Sequence, residues 1–319
     1  MNRKIAILIV KIGMSATLLG YLIGHMDYER MKIIFHDVIP FWLILSMVIL
    51  IARNWIGAWR CRVLLQTKSL DTSISYSVVL YFTSQFFNIF LPTSLGGDVA
   101  RGYYLGKKIG HMADVAATVI MERLLGFIAL IVLVMISVPF CFMLVGDVTI
   151  FYVALGLCLA TLFFVFLMLS PRVTGFQIAL KNKSLEKLSG HLRALLDSLR
   201  SFKDRPRLVF AFVLSLIFQL VAAYTTYLLA IGLGQELPLL YFVLILPLVQ
   251  IISMFPFTLS GLGVREGAFV YLFSLMGVDP QIGLSIGLLF FAQLLILSII
   301  GGLIYILHRD GSNSVYGAH

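Results

Sequence analysis

Six stretches of this chain, 5–24, 40–59, 115–138, 150–169, 208–229 and 283–307, are almost unbroken runs of apolar side chains. An α-helix rises about 1.5 Å per residue, so about 20 residues cross the roughly 30 Å hydrocarbon core of a bilayer. A water-facing globule of this size cannot hide six such runs. In lipid the backbone must satisfy its own hydrogen bonds, so each run predicts a helix. Composition agrees, with 60% hydrophobic and 12% charged residues, against about 45–50% and about 25% in soluble domains. Disorder, a disulfide scaffold and an ordinary soluble enzyme are excluded. The expected class is an all-α polytopic membrane protein forming one transmembrane domain over 1–319.

Charge sets the orientation. The chain has 24 Lys and Arg against 15 Asp and Glu, a net charge of +9. Arg3, Lys4, Arg60, Arg62, Lys68, Lys107, Lys108, Arg309 and nine residues of 172–207 fall on one side of the predicted spans. The opposite loops carry only Arg30 and Lys32, beside Asp27, Glu29, Asp37, Asp147, Glu236 and Asp279. Lys and Arg accumulate on cytoplasmic loops, so both termini are assigned to the cytoplasmic face of the inner membrane. The excess is topology and not a nucleic-acid signal. The basic start and apolar run of 1–24 read as a retained span, because no small-x-small cleavage site follows. Segment 172–207 repeats Leu185, Leu188, Leu192, Leu195, Leu199 and Phe202 every three to four residues. It reads as an amphipathic helix on the cytoplasmic surface.

Two further apolar regions, 74–110 and 240–277, are broken in the middle by Pro and Gly. The charge assignment makes the first begin and end in the cytoplasm, and the second outside. Each is therefore a hairpin that turns near its Pro/Gly break, either re-entrant or made of a pair of short helices. The order span, span, hairpin, span then recurs upside down, an inverted repeat with halves near 1–147 and 148–319. The breaks match residue by residue: Pro92, Leu95, Gly97 and Arg101 against Pro256, Leu259, Gly261 and Arg265.

Charges within the bilayer are costly and mark function or pairing. Lys11 and Arg53 lie near cytoplasmic ends and are expected to snorkel. Arg101 and Arg265 differ, since each follows a break. A Gly-rich turn entering a helix exposes free backbone N–H groups and the positive end of the helix dipole. The glycines Gly97 and Gly261 with an adjacent Arg fork suit a phosphate or carboxylate. Two such sites are expected to face each other from opposite leaflets. Asp98 precedes Arg101 by three residues, Glu266 adjoins Arg265, and Glu122-Arg123 lies about 10 Å into its span. These acids are expected to pair with the arginines, and Glu122 is also a candidate for proton coupling. Tyr103-Tyr104 is assigned to packing.

Other chemistries are set aside. Gly261-Leu-Gly263-Val-Arg-Glu-Gly267 lacks the spacing, strand and ribose-binding acid of a dinucleotide loop. Ser260 has no His within a span to serve as base. The six His and three Cys show no metal or disulfide spacing. No catalytic residue, metal or cofactor is expected.

The stretch 91–105, the Met121-Glu-Arg-Leu-Leu-Gly segment and Gly261-Leu-Gly-Val-Arg-Glu-Gly-Ala-Phe together resemble the lysylphosphatidylglycerol synthetase transmembrane family, also called flippase-like membrane domains. The resemblance covers nearly the whole chain. It implies movement of a lipid or lipid-linked precursor across the cytoplasmic membrane. Well-known members carry a fused aminoacyl-transferase, and no such part is present in this sequence. Gln293 stands where many relatives carry Arg, so no site residue is carried over there. The expected function is translocation of an anionic phospholipid or lipid-linked precursor. Its headgroup would be bound by Arg101, Arg265, Asp98, Glu122, Arg123, Glu266, Gly97 and Gly261, with Pro92 and Pro256 shaping the breaks. The protein is expected not to be an enzyme. A transporter of a small soluble anion, and an enzyme or accessory protein of lipid or envelope synthesis, are the alternatives. The expected partner is membrane lipid with an anionic headgroup, without nucleic acid. Self-association and association with lipid-synthesis enzymes stay open.

Overall fold

The computed structural model describes residues 3–90, 96–146, 148–169, 198–199, 201–254, 258 and 260–315. Every regular element among them is a helix: α1 (Arg3–Gly24), α2 (Tyr28–His36), α3 (Pro40–Gln66), α4 (Ile74–Phe90), α5 (Gly96–Ile109), α6 (Met112–Val145), α7 (Val148–Leu169), α8 (Arg205–Gly232), α9 (Leu239–Ser253), α10 (Val264–Ser274) and α11 (Pro280–Val315). Four stretches, Pro40–Gln66, Met112–Met143, Arg205–Gly232 and Pro280–His308, are long and apolar enough to cross a membrane. Val10–Gly24 and Phe151–Phe163 add shorter apolar stretches in α1 and α7. The chain is a multi-pass membrane protein. Both broken regions form helix pairs, α4–α5 and α9–α10. Most of the amphipathic segment 172–207, and both prolines Pro92 and Pro256, lie outside the described residues.

Local chemistry sets the helix ends. Asp27 accepts hydrogen bonds from the Glu29 and Arg30 amides and caps α2. Asp204 accepts from the Arg207 amide and caps α8, whose first turn carries Pro206. Such caps satisfy donors that the first turn leaves orphaned. Gly146 closes α6 at a φ of 72°, a conformation that glycine adopts without a Cβ clash. Past the expected end of its span, α3 runs on to Gln66, and Arg60 in this extension pairs with the buried Glu122.

The helices interlock across the two halves of the chain. α3 packs along α8, α4 along α11, and α9 along α6. α5 sits against α4 and α6, while α10 sits against α9 and α11. One apolar cluster joins Phe242, Leu246, Phe269 and Phe273 to Val134 and Ile286. Another joins Leu50, Cys61, Tyr81, Leu105 and Leu297. Lipid tails are as apolar as these side chains, so close fit and interhelical hydrogen bonds hold the helices together. Glycine makes the closest approaches. A Cβ on Gly301 would lie 2.0 Å from the Phe82 carbonyl oxygen, and one on Gly57 would lie 2.3 Å from the Tyr81 ring. Where α3 ends, the Lys68 ammonium pairs with Asp114 and donates to the Ser198 hydroxyl at 2.7 Å. That contact pins the start of the segment leading into α8.

Gly301→Ala is expected to force α4 from α11 and destabilise the protein by about 1–3 kcal/mol, the scale of overpacking. Gly13 has open space around it, so Gly13→Ala is the matched control and is expected to leave stability unchanged. Heating the detergent-purified variants before size-exclusion chromatography measures both.

Candidate functional site

The two broken regions meet at their tips. Ser260, on the turn before α10, donates its hydroxyl to the Asn88 carbonyl at 2.8 Å near the end of α4. The Asn88 side chain also accepts the Gly97 amide at 2.9 Å and so caps the start of α5. Gly97 lets that start abut α4, since a Cβ there would fall 2.1 Å from the Ser84 carbonyl oxygen. Gly261 adopts a φ of 78° in the opposite turn, a left-handed conformation that favours glycine. Both glycines therefore shape the tips. Residue Asn88 links the two helix starts that bear Arg101 and Arg265.

A cavity of about 390 Å³ opens beside this junction. Arg53, Arg60, Arg101, Arg123 and Arg265 line it together with Asp98 and Glu122. Instead of two sites facing opposite leaflets, Arg101 and Arg265 reach a single space. Glu122 is 1% exposed and joins two of these arginines. Its Oε1 accepts from Arg60 Nε at 3.0 Å and Nη2 at 2.7 Å. Its Oε2 lies 2.8 Å from Arg101 Nη2, an ion pair without hydrogen-bond alignment. Asp98 accepts from Arg101 Nη2 at 3.3 Å and pairs with Arg123 Nε. Arg60 Nη1 donates to Ser215 at 3.1 Å, which brings α8 into the network. One carboxylate of α6 and one of α5 thus neutralise arginines from three helices.

Arg265 is differently supported. Its Nε donates to Glu266 at 3.2 Å, and its guanidinium lies near the rings of Phe290 and Phe291. The fully buried Glu266 also accepts the Gly263 amide at 2.6 Å, so it caps α10 as well as neutralising Arg265. Glu266 stands behind the cavity wall and not on it. Arg101 lies over the Tyr81 ring at 4.2 Å. Arg101 and Arg265 are 4% and 7% exposed, yet Arg101 Nε and Nη1 and Arg265 Nη2 have no hydrogen-bond partner among the described residues. A buried unmet donor costs about 1–3 kcal/mol, more where it is charged. These unmet N–H groups belong to two side chains that line the cavity.

Some site residues escape the sequence reading. Arg60 was expected on a cytoplasmic loop, and Arg53 was expected to snorkel. Arg53 instead donates to the Phe218 carbonyl at 3.0 Å and stacks over the Phe218 ring at 3.6 Å. Asn88, Gln85, Gln219 and Gln250 also line the cavity. The available signal was polarity within an apolar run, and uncharged amides give only a weak one. Tyr104 packs away from the cavity, with its hydroxyl 2.8 Å from that of Tyr305. Among the described residues no group of three His, Cys, Asp or Glu could hold a metal ion.

The model of the family described as the lysylphosphatidylglycerol synthase TM region matches residues 5–302. A UPF0104 membrane protein of Methanocaldococcus jannaschii is 30% identical over 195 residues, covering 61% of this chain and 81% of the relative. A UPF0104 membrane protein of Methanothermobacter thermautotrophicus is 25% identical over 263 residues, covering 76% of this chain and 78% of the relative. No solved structure gives a significant match. With nearly the whole length matched, the chain belongs to the family of the lysylphosphatidylglycerol synthase transmembrane region.

Proposed function

We propose that this protein is a translocase that moves an anionic phospholipid or lipid-linked precursor between leaflets, without itself being an enzyme. The observation that carries the reading is the shared cavity. Two arginines from the two hairpin tips, each over nine-tenths buried, line it, and both carry guanidinium N–H groups without a hydrogen-bond partner among the described residues. Five arginines face only two carboxylates there. A phosphate supplies both the missing acceptors and the missing negative charge. Its acyl chains would stay in the bilayer while the headgroup passes through the polar space. In the empty state Glu122 and Asp98 hold Arg101, and the arriving phosphate takes over that role. The partners in this reading are membrane lipids.

The same reading takes the bundle as six spans and two opposed re-entrant hairpins in an inverted repeat, with both termini in the cytoplasm. The packing supports it: exchanging α3 with α8, α4 with α9, α5 with α10 and α6 with α11 turns the contacts α4–α11, α4–α5 and α5–α6 into α9–α6, α9–α10 and α10–α11. Polar pairs support it too. Gln85 donates to Asn54 between α4 and α3, and Gln250 donates to Gln219 between α9 and α8. Both members of the second pair stand 165 residues after those of the first. Alternating access would then rock one hairpin against the other about a fixed site.

Single cysteines test the orientation against a quiet background, because Cys61, Cys141 and Cys158 are buried. Cysteines at Asp37 and Gln235 are expected to react with an impermeant maleimide in intact cells. Those at Thr72 and His111 are expected to react only after permeabilisation.

Fluorescent-lipid translocation in proteoliposomes tests the function. Arg101→Ala and Arg265→Ala are each expected to slow an anionic lipid by tenfold or more, and an unchanged rate would refute the site. Glu122→Gln is expected to destabilise the protein by about 3–5 kcal/mol, because it leaves Arg60 and Arg101 short of a buried countercharge. Adding Arg60→Met is expected to recover part of that loss in the same thermal assay.

A further inference from the structure

The charges around the cavity do not balance. Arg60, Arg101 and Arg123 share the carboxylates of Glu122 and Asp98. Arg265 pairs with Glu266 behind the wall. Arg53 lines the same space and bonds the Phe218 carbonyl, but it meets no carboxylate among the described residues. Five guanidiniums thus meet three carboxylates, and two positive charges are left over. Arginine keeps its proton inside proteins, so this group cannot discharge itself as lysine or histidine would. Unpaired charge taken out of water is costly. Water satisfies donors without neutralising charge, whereas an anion does both.

The donors on the wall agree with that. Arg101 Nε and Nη1 and Arg265 Nη2 are unmet. The Asn88 side chain accepts from the Gly97 amide, and that of Gln219 accepts from Gln250. The side-chain N–H groups of Asn88 and Gln219 have no acceptor among the described residues, and Gln85 and Gln250 each keep a second N–H. All four amides line the cavity. Its volume of about 390 Å³ is many times the roughly 30 Å³ share of one water in the liquid, so an ion fits with part of its hydration. We infer that between lipid loads the cavity holds a small inorganic monoanion of the chloride kind, which the headgroup phosphate displaces. A monoanion is favoured because the penalty for leaving water grows with the square of the charge. A phosphodiester is also a monoanion, so the exchange leaves the charge of the buried network unchanged. The resident ion stands on the charge count, and its exchange rests on the proposed translocation.

Equilibrium dialysis of the detergent-purified full chain against radioactive chloride in chloride-free buffer tests both parts. Saturable binding is expected. Arg265→Met is expected to weaken it about tenfold or more, the scale of one charged hydrogen bond. Arg53→Met is expected to weaken it too, and this variant strands no carboxylate, so it decides if Arg265→Met fails to fold. Arg62, which pairs with Asp71 outside the cavity, supplies the control Arg62→Met, expected to bind as wild type. Dioctanoyl phosphatidylglycerol is expected to expel the chloride, and uncharged dioctanoylglycerol is not. Absence of saturable binding, or binding untouched by the cavity variants, overturns the resident ion. Sulfate competing better than bromide overturns its assignment as a monoanion. Chloride that stays bound while the phospholipid binds overturns the exchange. A phospholipid that does not bind at all refutes the lipid reading, and saturable chloride binding then still upholds the resident ion.

Discussion

The Glu122 carboxylate between Arg60 and Arg101 is the interaction on which the arrangement depends. Moving an ion out of water costs several kcal/mol, so three charges at this depth persist only as a group. The group needs α3, α5 and α6 at fixed distances, and the Arg60 bond to Ser215 adds α8. Asp98 extends the network to Arg123 on α6. A buried ion pair adds little net stability over an apolar replacement, but losing one member is severe. The network therefore specifies the arrangement more than it strengthens it.

Close backbone contact makes that arrangement attainable. Gly57 and Gly301 bring α4 against α3 and α11, and Gly97 seats the start of α5 on α4. Without a hydrophobic drive between helices in lipid, such contacts and interhelical hydrogen bonds carry the association. The Asn54–Gln85 and Gln219–Gln250 bonds are of this kind. Gln85, Gln219 and Gln250 also line the cavity, so side chains that hold each hairpin to its neighbour shape the polar wall.

The cavity itself is left unbalanced. Arg101 and Arg265 hold unmet donors in a place where burial makes them costly. Other buried charges in the chain are used up locally, as with Glu266, which both pairs Arg265 and caps α10. A fold selected for stability alone would use up the remaining donors as well. In the proposed translocation, their persistence beside a polar space is what an anionic headgroup would answer where the two hairpin tips meet.

Much of this was legible in the chain. The apolar runs determined the helices, because lipid leaves the backbone no other way to satisfy its polar groups. Pro and Gly within two apolar regions marked the breaks, and Arg101, Arg265, Asp98, Glu122 and Arg123 stood out because charge is rare in such surroundings. What the chain could not show was direction and pairing. Hydropathy does not distinguish an arginine that leaves the membrane from one that turns inward, so Arg60 and Arg53 were placed outside the site. The amides of Gln85, Gln219 and Gln250 carry no charge and give only a weak signal. Only the tertiary structure brought Arg101 and Arg265 to one cavity, because that meeting depends on contacts between residues far apart in the chain, such as Ser260 with Asn88. A periodicity along one helix carries no information about such contacts.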